Sequence, residues 1–171
     1  MVQEDDGRSG PETGNTGEGT TIVGVVSDTH GVLNDRVLER LSGCHRILHA
    51  GDVGDPDVLR RLERVAPVLA VRGNVDTEPP LGDLPVAVRH RFGPWEVGMT
   101  HIREDLERHR IDDCDIQIFG HSHKPALVWE GRRLLLNPGA CGRQRFHLPL
   151  TIARLTFRGE GFVPELFDVA P

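Results

Sequence analysis

Tyrosine is absent from this 171-residue chain, and only two tryptophans and six phenylalanines are present. The core must therefore rest on Val, Leu, Ile and Ala. Lysine occurs once, as Lys124, and the other 19 basic residues are arginines that form no basic block. Composition thus gives no support for non-specific nucleic-acid binding. No apolar run approaches the about 18 residues of a membrane span, which argues against a membrane partner. The N-terminus lacks the basic start and apolar stretch of a signal peptide. Cys44, Cys114 and Cys141 are odd in number, far apart and form no CxxC pair. That pattern excludes a disulfide framework and fits a reducing, cytoplasmic setting.

Charge is present but uneven. Residues 1–19 carry five acids against one base, a net −4 out of the total −6, with five glycines and almost no apolar residue. Such a segment buries too little surface to offset its ordering entropy, so residues 1–19 are expected to be a disordered tail and 20–171 a single domain.

Within 20–171, "TTIVGVVSDTH" reads as a buried strand running into polar residues. "NDRVLERLSG" reads as a helix with Asn34 as its cap and Gly43 as its stop. "HRILHAGD" is a second strand, "DPDVLRRLERVA" a helix capped by Asp55 with Pro56 at its first position, and "PVLAVRGN" a third strand. This β-α-β-α-β alternation predicts parallel strands with crossover helices. The pattern then changes. Hairpins are expected around Gly93-Pro94, at Glu130-Gly131 and near Gly159, with a helix through "REDLERHR" and a strand in "CDIQIFGHSH". Two packed sheets with helices outside accommodate both halves.

Chemistry-bearing residues gather where the apolar runs end. Asp28 and His30 follow the first strand, Asp52 the second, and Asn74 and Asp76 the third. His101 follows "WEVGMT", His121 and His123 follow "DIQIF", and Asn137 follows "RRLLL". Ligands of such sheets bind beyond the carboxyl ends of the strands. Six strand ends deliver acids, amides or imidazoles and no thiol, which is a set of hard and borderline metal ligands. Two divalent ions about 3.5–4 Å apart need a shared anion, and a carboxylate can bridge them. Residues two apart in an extended segment point the same way, so Asp28 with His30, and His121 with His123, are expected to face one site from extended backbone.

The ordered motifs "SDTHG", "GD", "GNVD", "TH", "GHSH" and "NPGA" resemble those of calcineurin-like metallophosphoesterases, in particular the small phosphodiesterases of the YfcE type. The resemblance covers about residues 21–168. It implies a four-layer α-β-β-α sandwich of two mixed sheets, and a dinuclear centre that hydrolyses a phosphate ester, a diester in particular, by in-line attack of a metal-bridging hydroxide. It implies that Asp28, His30, Asp52 and His123 hold the first metal, and Asp52, Asn74, His101 and His121 the second. Asp52 bridges, and Asp52, Asn74 and His101 serve catalysis. Mn fits the ligand set first, with Ni, Co, Fe or Zn as alternatives.

Two departures stand out. Many relatives read "GNH" where this chain has Val75, which can neither give nor take a proton. The usual "THGH" is here "THIRE", so Ile102 and Arg103 should alter the pocket wall. Taken singly, Asp28 and Asp52 could be helix caps or turn formers, Gly73-Asn74 a turn and His101 structural. His49 lies three residues from Asp52 on one strand and is expected to face away. Arg143 and Arg145 fit either a phosphate or surface charge. Asp76 has no assigned role, and Asn137 is expected to support the site. The rival reading is a protein-binding scaffold like the retromer subunit that shares the family's fold; the complete ligand set weighs against it. A homo-oligomer is compatible with the sequence.

Overall fold

The computed structural model describes residues 19–144 and 147–169, together with the backbone of 2–4. The alternating half forms as expected. Strands β2 (Thr20–Val26), β3 (Arg46–His49) and β4 (Val68–Ala70) pair in parallel, and helices α1 (Asp35–Leu41) and α2 (Pro56–Glu63) cross between them. The caps are those the sequence names. Asn34 Oδ1 accepts the Val37 N–H at 3.0 Å, and Asp55 Oδ1 accepts the Asp57 N–H at 2.8 Å, with Pro56 at the first helical position. β10 (Thr151–Arg158) joins the open side of β2 antiparallel and carries β11 (Gly161–Asp168) at the edge, giving the order β11-β10-β2-β3-β4.

The second half builds a second sheet. β5 (Ala87–Phe92) and β6 (Trp95–Thr100) form the hairpin over Gly93-Pro94. β7 (Ile116–Ile118) adds parallel to β6 and β9 (Arg133–Asn137) parallel to β7. β8 (Ala126–Glu130) closes the edge as the hairpin partner of β9. The helix expected in "REDLERHR" is a single turn, α3 (Asp105–Arg108). Part of the expected disordered tail departs from that expectation. Val2–Glu4 forms β1, parallel to β5 in register Val2↔Ala87, so the sheet order is β1-β5-β6-β7-β9-β8. Strand pairing uses backbone groups, so an open edge can take up a segment that has no apolar face. Residues 5–18 lie outside the described residues.

Strand alternation sorts the apolar side chains into three packed layers. Val23, Val25, Leu48 and Val71 of the first sheet meet Val88, Met99, Ile118 and Leu136 of the second in the central core. Val26, Ile47 and Ile152 on the outer face of the first sheet pack against Val37, Leu41, Val58 and Leu62 of α1 and α2. Ala87 and Leu135 on the far face of the second sheet pack against Leu106 and Ile111. The result is the expected four-layer α-β-β-α sandwich, with one outer layer reduced to the short α3. Leu41 and Leu62 are fully buried, and truncating either to Ala should cost about 2–5 kcal/mol. No helix among the described residues is long and apolar enough to cross a membrane.

Candidate metal centre

The two sheets place the carboxyl ends of β2, β3, β4, β6, β7 and β9 at one end of the sandwich, and backbone bonds tie those ends together. Asp28 N–H donates to Gly51 O at 3.0 Å and His30 N–H to Asp52 O at 3.0 Å within the first sheet. His121 N–H reaches across to Asp28 Oδ2 at 3.1 Å, and His101 Nδ1 meets Ala50 O at 2.7 Å. A carbonyl can only accept, so Nδ1 of His101 carries a proton, and Nε2 is the nitrogen turned to the cleft.

The residues converge as two groups, Asp28 with His30 and His123, and Asp52 with His101 and His121. Within each, one ligand atom per residue lies within 4.8 Å of the others. In the first group His30 Nε2 and His123 Nε2 stand 3.3 Å apart, and His123 Nε2 is 3.2 Å from Asp28 Oδ1. In the second, Asn74 Oδ1 lies 3.2 Å from His101 Nε2 and 3.0 Å from His121 Nδ1. Asp52 joins the groups: its Oδ2 is 3.8 Å from His30 Nε2 and 3.4 Å from His101 Nε2. All seven ligand-type residues named from sequence therefore meet.

They meet by a different local geometry from the one expected. Asp28, His30, His121 and His123 do not alternate along extended strands. Their φ angles are 54°, 47°, 65° and 58°, and that of Asp52 is 54°. The left-handed backbone turns each side chain into the cleft just past its strand, at a strain of about 1–2 kcal/mol per residue. Two glycines make room for the carboxylates. A Cβ on Gly73 would stand 2.0 Å from Asp52 Oδ1, and one on Gly120 2.8 Å from Asp28 Oδ2.

The carboxylates sit in contrasting fields. Asp28 is fully buried, and its Oδ1 has no hydrogen-bond partner. Burial raises its pKa to about 6, against the opposing bond from Ser27 and the charge of His101. Burial also works to raise Asp52, but the hydrogen bond and charge of His101, the Val75 N–H at 3.1 Å and His30 outweigh it and bring the pKa down to about 2. For His101 burial opposes the charged ring, while the bond to Asp52 and its charge raise the pKa. A cation beside Asp28 Oδ1 would satisfy that oxygen and the facing His30 and His123 nitrogens together. The residues fit a metal on this observation.

His49 faces away from the ligand cluster, as its spacing predicts, yet it supports the site. Its Nδ1 accepts the Gly51 N–H at 3.2 Å. Its Nε2 lies 3.0 Å from the Thr29 hydroxyl, which donates to Val53 O at 2.9 Å. The ring is thus held neutral with its proton on Nε2, and burial lowers its pKa to about 4. Asp76, unassigned from sequence, takes the N–H groups of Val53, Gly73 and Gly54 at 2.8–3.0 Å and locks the β3 and β4 loops together. Asn137 supports the site as expected, donating to Gly120 O and Ser122 Oγ while accepting the Gly139 N–H. Arg143 is exposed, and Arg145 lies outside the described residues. A cavity of about 510 Å³ between α3 and the β8–β9 hairpin contains none of the converging histidines.

Residues 22–160 match the calcineurin-like phosphoesterase superfamily domain, and the chain belongs to that family, whose members use divalent metals. A protein of Methanothermobacter thermautotrophicus described as a probable metallophosphoesterase is 33% identical over 132 residues, 70% of this chain and 76% of its own. Among solved structures, Vacuolar Protein Sorting 29 from Cryptosporidium parvum superposes with a TM-score of 0.76 at 23% identity, covering 87% of this chain and 91% of that one. The YfcE phosphoesterase from E. coli gives 0.64 at 22% identity, covering 88% and 100%. At these identities the two structures speak for the fold alone.

Proposed function

We propose that the chain is a dinuclear-metal-dependent phosphoesterase that hydrolyses phosphodiesters. The observation that carries this reading is Asp52 Oδ2, poised between His30 and His101 where the two ligand groups meet. Asp28, His30, Asp52 and His123 would hold one ion. Asp52, Asn74, His101 and His121 would hold the other, with Asp52 shared. The set is oxygen and nitrogen without sulfur, which favours Mn first and Ni, Co, Fe or Zn next. Two such ions, when bound, supply Lewis acidity toward the phosphate oxygens and an activated water for in-line attack.

The chain's own groups provide the positioning. The Val75 N–H holds Asp52 Oδ1 and leaves Oδ2 directed at the cleft. The Ala50 carbonyl keeps the His101 proton on Nδ1. Val75 itself is 44% exposed and offers an isopropyl group where many relatives place an imidazole. The proton for the departing alcohol must then come from solvent or another group, so esters whose leaving group is stable as an anion are favoured. The three cysteines are buried and form no disulfide, which suits the reducing cytoplasm.

The test is to load the purified chain with Mn, count bound metal, and screen mono- and diesters. Two ions per chain and turnover of bis(p-nitrophenyl) phosphate are expected. Two bound ions without turnover of any ester would favour the scaffold reading.

A further inference from the structure

The cavity of about 510 Å³ between α3 and the β8–β9 hairpin has no part in the metal cleft, and a buried amide lies in its wall. Ile116 and Ile118 of β7 point into the central core. Alternation therefore sends Gln117 to the opposite face, where its neighbours across the sheet are Gly98 and Leu135. That face is otherwise apolar, packed with Ala87, Leu106, Ile111 and Leu135. Gln117 is only 5% exposed. Its Nε2 donates to Asp112 O at 2.5 Å and to Cys114 O at 3.3 Å. Both amide hydrogens are thereby used and the orientation of the amide is fixed. Its oxygen is left for the cavity, where no group among the described residues donates to it. A buried acceptor of this kind calls for a donor from an occupant.

The rest of the wall decides which donor fits. Glu104, Glu107, Asp112 and Glu130 share it with Arg103 and Arg133, an excess of two negative charges. Arg103 and Glu130 answer each other at 3.1 Å. Among the described residues, Glu104, Glu107 and Asp112 enter no ion pair. The field therefore repels an anion and favours a cation. A bare metal ion is a poor occupant, because these carboxylates do not gather three close ligand atoms as those of the cleft do. Leu106 and Leu135, both buried, offer an apolar surface on which an alkyl stem can lie. The volume lies within the about 300–1,000 Å³ of small-molecule sites.

We propose that this cavity binds a small organic cation, an alkyl diamine or polyamine. One ammonium donates to Gln117 Oε1, the carbon stem lies along Leu106 and Leu135, and the remaining charge meets the unpaired carboxylates of the rim. The site is separate from the metal centre and independent of the phosphoesterase reading.

Calorimetry on the full chain tests it, with 1,4-diaminobutane and 1,4-butanediol as probes of one length. The diamine should bind at least about tenfold tighter than the diol, which lacks the charge. Gln117→Met keeps the length and removes the acceptor, and should weaken the diamine by about tenfold. Glu104 and Glu107 are exposed, so changing both to Gln leaves folding intact and should weaken it by about fivefold. Glu39 and Glu63, exposed on α1 and α2, serve as the control pair, and their change to Gln should leave the affinity unaltered. Equal losses from the two pairs would mean general attraction to an acidic chain and would overturn the site, as would a diol that binds as well as the diamine. Tighter binding of Nα-acetyl-lysine amide than of diaminobutane would assign the cavity to a protein's lysine side chain and overturn the small-molecule occupant.

Discussion

The two halves of the site differ in how they stand without metal. Around Asp52 the network is self-satisfied. Val75 N–H and His101 answer the carboxylate, and its pKa sits near 2. Around Asp28 it is not. Oδ1 is buried without a hydrogen bond, the pKa is held up near 6 by burial, and His30 and His123 turn nitrogens toward each other at 3.3 Å. One half resembles an ordinary buried ion pair. The other sets a buried carboxylate oxygen without a hydrogen bond beside two imidazole nitrogens. A cation therefore gains more at Asp28 in relief of desolvation, and more at Asp52 in shared ligation.

The largest expected effect comes from Asp52, the residue proposed to serve both ions. Asp52→Asn keeps the shape and the bond from Val75 but removes the charge that both groups use. Turnover should fall by more than the about 10²–10³-fold typical of losing one preorganised group. Metal analysis should show lowered occupancy in both halves. Loss of one ion only would mean that the halves are independent and Asp52 belongs to one of them.

Val75 comes next. It serves the Asp52 half through its backbone N–H alone, so its side chain can change without disturbing that bond. Rates in the unaltered chain should depend steeply on leaving-group pKa, with p-nitrophenyl esters far ahead of alkyl esters. Val75→His should raise rates on alkyl esters by up to about 10²-fold, the lower range for general-acid help. A flat dependence in the unaltered chain would point to another proton donor.

Much of this was legible in the sequence, and the parts that were not share a cause. The parallel strands and crossover helices of the first half, both helix caps, the hairpins at Gly93 and Gly131, and all seven converging residues follow from patterns that are local along the chain. The left-handed φ angles at Asp28, His30, Asp52, His121 and His123 do not. Asp and His carry no local signal for that conformation comparable to glycine's, and tertiary contacts such as His121 N–H to Asp28 Oδ2 impose it. The roles of His49 and Asp76 were hidden for the same reason. Each has a partner about 20 residues away in sequence, the Thr29 hydroxyl for His49 and the Val53 N–H for Asp76, that only the folded sheet brings near. β1 was missed because edge pairing needs no apolar pattern.

The contrast between the halves also predicts stability. Asp28 has a folded pKa of about 6 against an ordinary 3.8, so its carboxylate form is unfavourable in the folded chain. Above pH 6 that deficit is fully expressed, on the order of 3 kcal/mol. Asp28→Asn should thus raise the melting temperature of the metal-free chain at pH 8, at about 2–4 °C per kcal/mol, while weakening metal binding at the first group. An unchanged or lower melting temperature in chelator would show that Asp28 is better served than its unpartnered Oδ1 suggests.

The smallest expected effect is a cancellation that two substitutions should expose. As pH falls from 6 toward 4, the folded chain protonates Asp28 before the unfolded chain does, so this group adds stability. His49 works in the opposite direction. Its folded pKa is about 4 against 6.5 unfolded, so the unfolded chain takes up the proton first and stability is lost between pH 6.5 and 4. The two shifts are similar in size and opposite in sign, so the metal-free chain should show little net dependence on pH from this pair across that window. Asp28→Asn removes the compensating gain and should make the metal-free chain clearly less stable at pH 4.5 than at pH 6.5. His49→Gln removes the loss, and relative to its own value at pH 6.5 that variant should gain stability on acidification. Urea melts in chelator at the two pH values read both differences directly. Parallel pH profiles for the unaltered chain and the His49→Gln variant would mean that the imidazole is not held neutral beneath Thr29.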